Sequence, residues 1–76
     1  MNKQRRKVIM EISKKIEHIA QNLREVLDEE QEAFDNMPEG IQMSGRGSES
    51  EEAQENIESA IECLEDAIMA LEEAIE

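Results

Sequence analysis

The chain reads as an all-α protein, an antiparallel, coiled-coil-like hairpin of two long helices that dimerises into a four-helix bundle. Three observations carry that expectation. Among 76 residues there are one aromatic side chain, one proline and three glycines, set in a sequence crowded with Glu, Ile, Ala, Leu and Lys, a composition suited to long helices rather than sheet or disorder. Apolar residues recur three and four apart in both halves of the chain, the mark of a single apolar helix face. The proline and all the glycines fall between those halves, so the chain has one place to reverse.

The first helix is expected over about residues 3–36. Its stripe is Ile9, Ile12, Ile16, Ile19, Leu23, Val26, Ala33 and Met37, widened on its flanks by Val8, Ala20, Leu27 and Phe34. Glu30 interrupts it at a core position of the heptad count. At about 1.5 Å per residue this helix is on the order of 50 Å long.

A loop is expected over about residues 37–47. Pro38 disfavours helical geometry at Met37, and Asn36 and Pro38 suit the start of a short turn. Ile41 and Met43 are expected to fold back and plug the end of the core beside Phe34 and Met37. Ser48 followed by Glu51 has the spacing of a capping box, and Glu49, Glu51 and Glu52 suit the positive end of a helix dipole.

The second helix is therefore expected over about residues 48–75. Ile57, Ile61, Leu64, Ile68, Leu71 and Ile75 form its large stripe, and Ala53, Ala60, Ala67 and Ala74 recur at a strict seven beside it. A small row beside a large one lets another helix approach closely, so the alanines are the candidate oligomer seam. Matching the spacings across an antiparallel pair requires paired residue numbers that sum to 80 or to 87; a loop centred near Gln42 favours 87, which sets Ile12 with Ile75, Ile16 with Leu71, Ile19 with Ile68, Leu23 with Leu64 and Val26 with Ile61, leaving Glu30 near Ile57. Residues 1–76 thus make a single domain whose two helices cover only one side of these wide stripes. A homodimer is expected to cover the rest, as small folds need some such support.

Other supports and several function classes are excluded on composition. One cysteine, Cys63, closes no intrachain bridge, and with the single histidine, His18, it is too little for a zinc site. No metal or cofactor is expected, and no apolar run has the length of a membrane span or signal peptide. The expected setting is the cytoplasm.

Charge is laid out unevenly around a net value of minus 12. Through Arg24, seven cations face two carboxylates; from Glu25 onward, eighteen carboxylates face one cation, Arg46. A two-fold antiparallel dimer would set each basic end against an acidic loop end.

Candidate chemistry is sparse. His18 lies beside the stripe, and Lys15 stands where a Glu-x-x-His metal motif needs glutamate. Glu30 fits a register-setting polar residue in the core. Ser44-Gly45-Arg46-Gly47-Ser48 resembles a phosphate cradle only in outline, since no strand precedes it and the following glutamates repel phosphate. Cys63, between Glu62 and Leu64, has no cationic neighbour in sequence to make its thiol reactive. Arg5, Arg6 and Lys7, with Arg46, are the candidate anion-binding groups, although the overall charge opposes contact with nucleic acid or an anionic membrane. Glu51, Glu52, Glu55, Glu58 and Glu62 form the candidate protein-binding surface, a carboxylate rod able to enter the cationic groove of a nucleic-acid enzyme. Nothing supplies a nucleophile, base and oxyanion donor together, so no enzyme is expected.

The segment Glu29 to Gln42, followed by Ser44-Gly45-Arg46-Gly47 and the Glu/Ala/Ile repeats, resembles small acidic helical-hairpin proteins of bacteriophages and prophages of Gram-positive bacteria. The resemblance implies a setting inside a bacterial host and a role in binding and inhibiting host machinery, including defence systems. Three functions follow as expectations: inhibition of a host protein through the acidic surface, an oligomeric sponge that holds a signalling nucleotide with basic residues, and an assembly helper acting through the apolar stripe.

Overall fold

A computed structural model describes residues Met1–Glu76 as three helices, α1 (Lys3–Asp35), α2 (Glu39–Gln42) and α3 (Gly45–Ala74). The long helices α1 and α3 pack side by side as an antiparallel hairpin, and the molecule is a rod of 58 × 14 × 12 Å. No helix is long and apolar enough to cross a membrane.

Each boundary has a local cause. The Asn2 side chain accepts a hydrogen bond from the Arg5 backbone N–H at 2.8 Å and so caps the start of α1. Asn36 ends it as C-cap, one residue earlier than expected, because the extended Pro38 stops propagation. Within the expected loop, Glu39–Gln42 close a single helical turn capped by Pro38, whose φ of −56° suits that position. The Gln42 amide donates to the Phe34 carbonyl at 2.9 Å, tying this turn back onto α1.

The start of α3 corrects the expectation of a helix beginning at Ser48. Ser44 is its N-cap, and Gly45, Arg46 and Gly47 lie inside the helix. Gly47 explains the geometry: a Cβ there would stand 1.8 Å from the Gln42 carbonyl oxygen. The residue is glycine because backbone from α2 occupies the space of a side chain. Its φ is not positive, so close approach is the whole of its role. At the far end the helix stops at Ala74, with Ile75 as C-cap.

The interface between the long helices is one layer deep. On α3 the inner row is as expected, with Ile61 and Ile68 buried and Ile57, Leu64, Leu71 and Ile75 half-buried. The same spacing continues toward the loop through Gln54, Ser50 and Gly47. On α1 the inner row is Ile9, Ser13, Ile16, Ala20, Leu23, Leu27, Glu30 and Phe34, with Ala20 fully buried. Ile12, Ile19 and Val26, expected to face Ile75, Ile68 and Ile61, instead stand 42%, 50% and 47% exposed. The cause is the width of the stripe. α3 settles over its Ala20 edge, where small side chains let the backbones come close, and leaves the Ile19 edge uncovered.

Four polar side chains, Ser13, Glu30, Ser50 and Gln54, lie within this layer. Ser50 is buried and its hydroxyl donates to the Glu30 carboxylate at 3.0 Å, while the Gln54 amide donates to the Ser50 oxygen at 3.3 Å. Glu30 therefore meets Ser50 and not Ile57, and the bond fixes the rotation of one helix against the other near the loop. The Ser13 hydroxyl is buried without a partner. At the loop end Phe34, Met37 and Ile41 are half-buried, but Met43 is 82% exposed and does not plug the core.

Candidate functional site

Successive helical residues advance by about 100°, so the rows on either edge of each inner row face opposite broad sides of the hairpin. One cross-helix contact tells the sides apart. Arg24 donates to the Glu65 carboxylate at 2.9 Å, the only ion pair in the chain. Arg24 belongs to the α1 row Glu17, Arg24, Gln31, and Glu65 to the α3 row Glu58, Glu65, Glu72. Those rows share a side. The rows on the other edge, Ile12, Ile19, Val26 and Ala33 on α1 and Ala53, Ala60, Ala67 and Ala74 on α3, share the opposite one.

The structure thus gathers the candidate oligomer seam and the uncovered isoleucines onto a single face. Ala53 and Ala67 are half-buried at the groove, Ala60 and Ala74 are exposed, and Val8 extends the apolar row toward the open end. The alanine line stands where the sequence pattern places it, whereas Ile12, Ile19 and Val26 lie outside the interior expected for them. Their strict seven-residue repeat, equal to that of the alanines, was the signal that they could form a row of their own.

The charged side carries the candidate protein-binding residues. Glu51, Glu55, Glu58 and Glu62 are exposed and spaced four, three and four apart, which aligns them in one row along α3. The row continues through Glu65, Glu72 and Glu76, interrupted at Met69, which is exposed. Glu52 is also exposed but lies on the outward back of the helix, about 100° round from Glu51. Only Glu65 meets a cation within the chain, so the carboxylates repel one another and attract external cations.

The candidate anion-binding residues are not brought together. Arg5, Arg6 and Lys7 project from the first turns of α1 at the open end, and Arg46 from the first turn of α3 beside the loop. All are exposed and form no ion pair. The two depressions on the surface are shallow. One, at the open end, is lined by Met10, Ser13, Lys14, Glu17, Glu72 and Ile75; the other surrounds Arg24 and Glu65.

His18 and Cys63 are exposed, and no group of three or more His, Cys, Asp or Glu side chains stands where it could hold a metal ion. The arrangement offers two surfaces of contrasting chemistry, one apolar and one anionic. Among protein-family models, curated proteins and solved structures, none matches this chain.

Proposed function

We propose that the protein is a non-enzymatic interaction module that self-associates through its apolar side and engages another protein through its carboxylate row. The observation that carries this reading is the separation of the two chemistries onto opposite sides of one rod. An apolar face spanning both helices is what half of a four-helix bundle presents, and the aligned row of Glu51, Glu55, Glu58 and Glu62 is left outside that bundle. Charge at this density favours a cationic partner surface and speeds encounter with it.

Within this proposal the protein is a phage or prophage accessory factor in the cytoplasm of a bacterial host. Its target is a host nucleic-acid or anti-phage defence enzyme, whose cationic groove the carboxylate row occupies in place of nucleic acid. The resemblance of the Phe34 to Gln42 segment supplies the setting, and the row supplies the mode of binding. Direct contact with nucleic acid or an anionic membrane is disfavoured by a net charge of minus 12.

Affinity capture from host lysate, followed by titration of the purified target, tests the reading. Binding is expected to weaken steeply with salt and to fall at least tenfold when Glu51, Glu55, Glu58 and Glu62 are changed together to Gln, since about 1.4 kcal/mol lost across four charges suffices. Binding that ignores both salt and neutralisation contradicts it and favours an assembly role through the apolar side. Thermal stabilisation by a nucleotide, abolished by Arg5→Ala or Arg46→Ala, would favour the ligand sponge. That role needs more than one chain, because the two arginines lie toward opposite ends of the 58 Å rod.

A further inference from the structure

We infer that the apolar side is closed by a second, antiparallel copy of this chain, with α1 lying along α1 of the copy and the two-fold axis crossing at Ile19. This rests on reading that side as the self-association face, and adds the seam and its direction.

Position is the first argument. Ile19 is the midpoint of α1 (Lys3–Asp35) and, at 50%, more exposed than Ile12 or Val26 of the same row. A two-fold axis there overlays the two helices along their whole length and sets Ile12 of each copy beside Val26 of the other. On α3 the same side carries alanines, so the two α3 helices can approach closely as well.

Charge is the second. The start of α1 holds Lys3, Arg5, Arg6 and Lys7, and its end holds Asp28, Glu29, Glu32 and Asp35, none of them in an ion pair within the chain. This order runs against the dipole of the helix, which favours anions at its start and cations at its end. An antiparallel α1 answers both ends at once: each basic start lies against an acidic end, twice per dimer. The alternative two-fold, parallel to the rod, stacks the two loop ends and brings the carboxylates of both copies together. The seam therefore selects one direction, and each acidic row of α3 remains on the outside.

Cysteine pairing reads the arrangement directly. In a Cys63→Ser background, Ile19→Cys is expected to form a disulfide-linked dimer under mild air oxidation, because the two-fold brings residue 19 against itself. Ile12→Cys mixed with Val26→Cys is expected to link only as the mixed pair, since residue 12 of one copy lies about 20 Å along the helix from residue 12 of the other. The mass of the same proteins under reducing conditions, by sedimentation equilibrium, separates the two levels of the claim. A dimeric mass without these links overturns the antiparallel α1 seam and leaves self-association standing. A single-chain mass at micromolar concentration overturns both.

Discussion

The two broad sides of this hairpin are made from adjacent rows of the same two helices, yet one is suited to water and the other is not. The charged side interleaves Glu17, Arg24, Glu58, Glu65 and Glu72, and one ion pair spans it. The apolar side sets half-exposed Ile12, Ile19 and Val26 beside a line of alanines. Single exposed apolar residues are ordinary on protein surfaces, whereas a continuous row of them across two helices is the kind of surface that the proposed self-association would cover. Burial agrees: only 5 of 76 residues are buried, so the hairpin alone has almost no interior to hold it together. If the apolar side is the self-association face proposed above, substitutions on each side should have very unequal effects.

The largest effect is expected from Ile19→Lys. It adds no strain to the single hairpin, because the side chain points outward, but puts two like charges at the centre of the proposed seam. The mass should fall to that of one chain, and the melting temperature should lose its dependence on protein concentration. Retained helicity by circular dichroism at low temperature would show that the variant still folds.

Gly47→Ala comes next, because the backbone of α2 packs directly against α3 at this residue. The added methyl collides with the Gln42 backbone and should cost about 1–3 kcal/mol in denaturant unfolding, as overpacking does. Gly45→Ala, where a Cβ meets open space, is the control and should stay within about 0.5 kcal/mol of the parent.

Ser13→Ala lies between the sides, in the layer common to both. It removes a buried hydroxyl that has no partner and substitutes a better helix former, so a gain of about 1 kcal/mol is expected. Arg24→Ala should have the smallest effect. Its ion pair with Glu65 is roughly half exposed at both partners, and pairs of that kind are worth about 0–1 kcal/mol. A change in mass for Arg24→Ala but not for Ile19→Lys would reverse the assignment of the sides.

Much of this was legible in the sequence, and the exceptions share a physical origin. The helical hairpin followed from periodicity and from the clustering of Pro38 with the glycines. The inner row of α3 could be read because its large residues, Ile57 to Ile75, occupy only two positions per heptad. On α1 the stripe is three positions wide, and periodicity alone does not say which edge meets α3. Small Ala20 and Ser13 decided it, by permitting the closer approach. The start of α3 was misplaced because Gly45-Arg46-Gly47 has turn composition. Gly47 nevertheless stands on the same four-and-three spacing as Ser50, Gln54 and Ile57, a row that points to tight packing rather than flexibility. The carboxylate row was visible at Glu51, Glu55, Glu58 and Glu62, but its position opposite the apolar side required Arg24 and Glu65 to be seen in contact.

The most direct measurement is the molar mass of the unmodified chain in solution by sedimentation equilibrium at micromolar concentration, under reducing conditions so that Cys63 plays no part. Twice the 8.7 kDa chain mass is expected, reduced to a single chain by Ile19→Lys. A mass of one chain for the unmodified protein would contradict the proposed self-association.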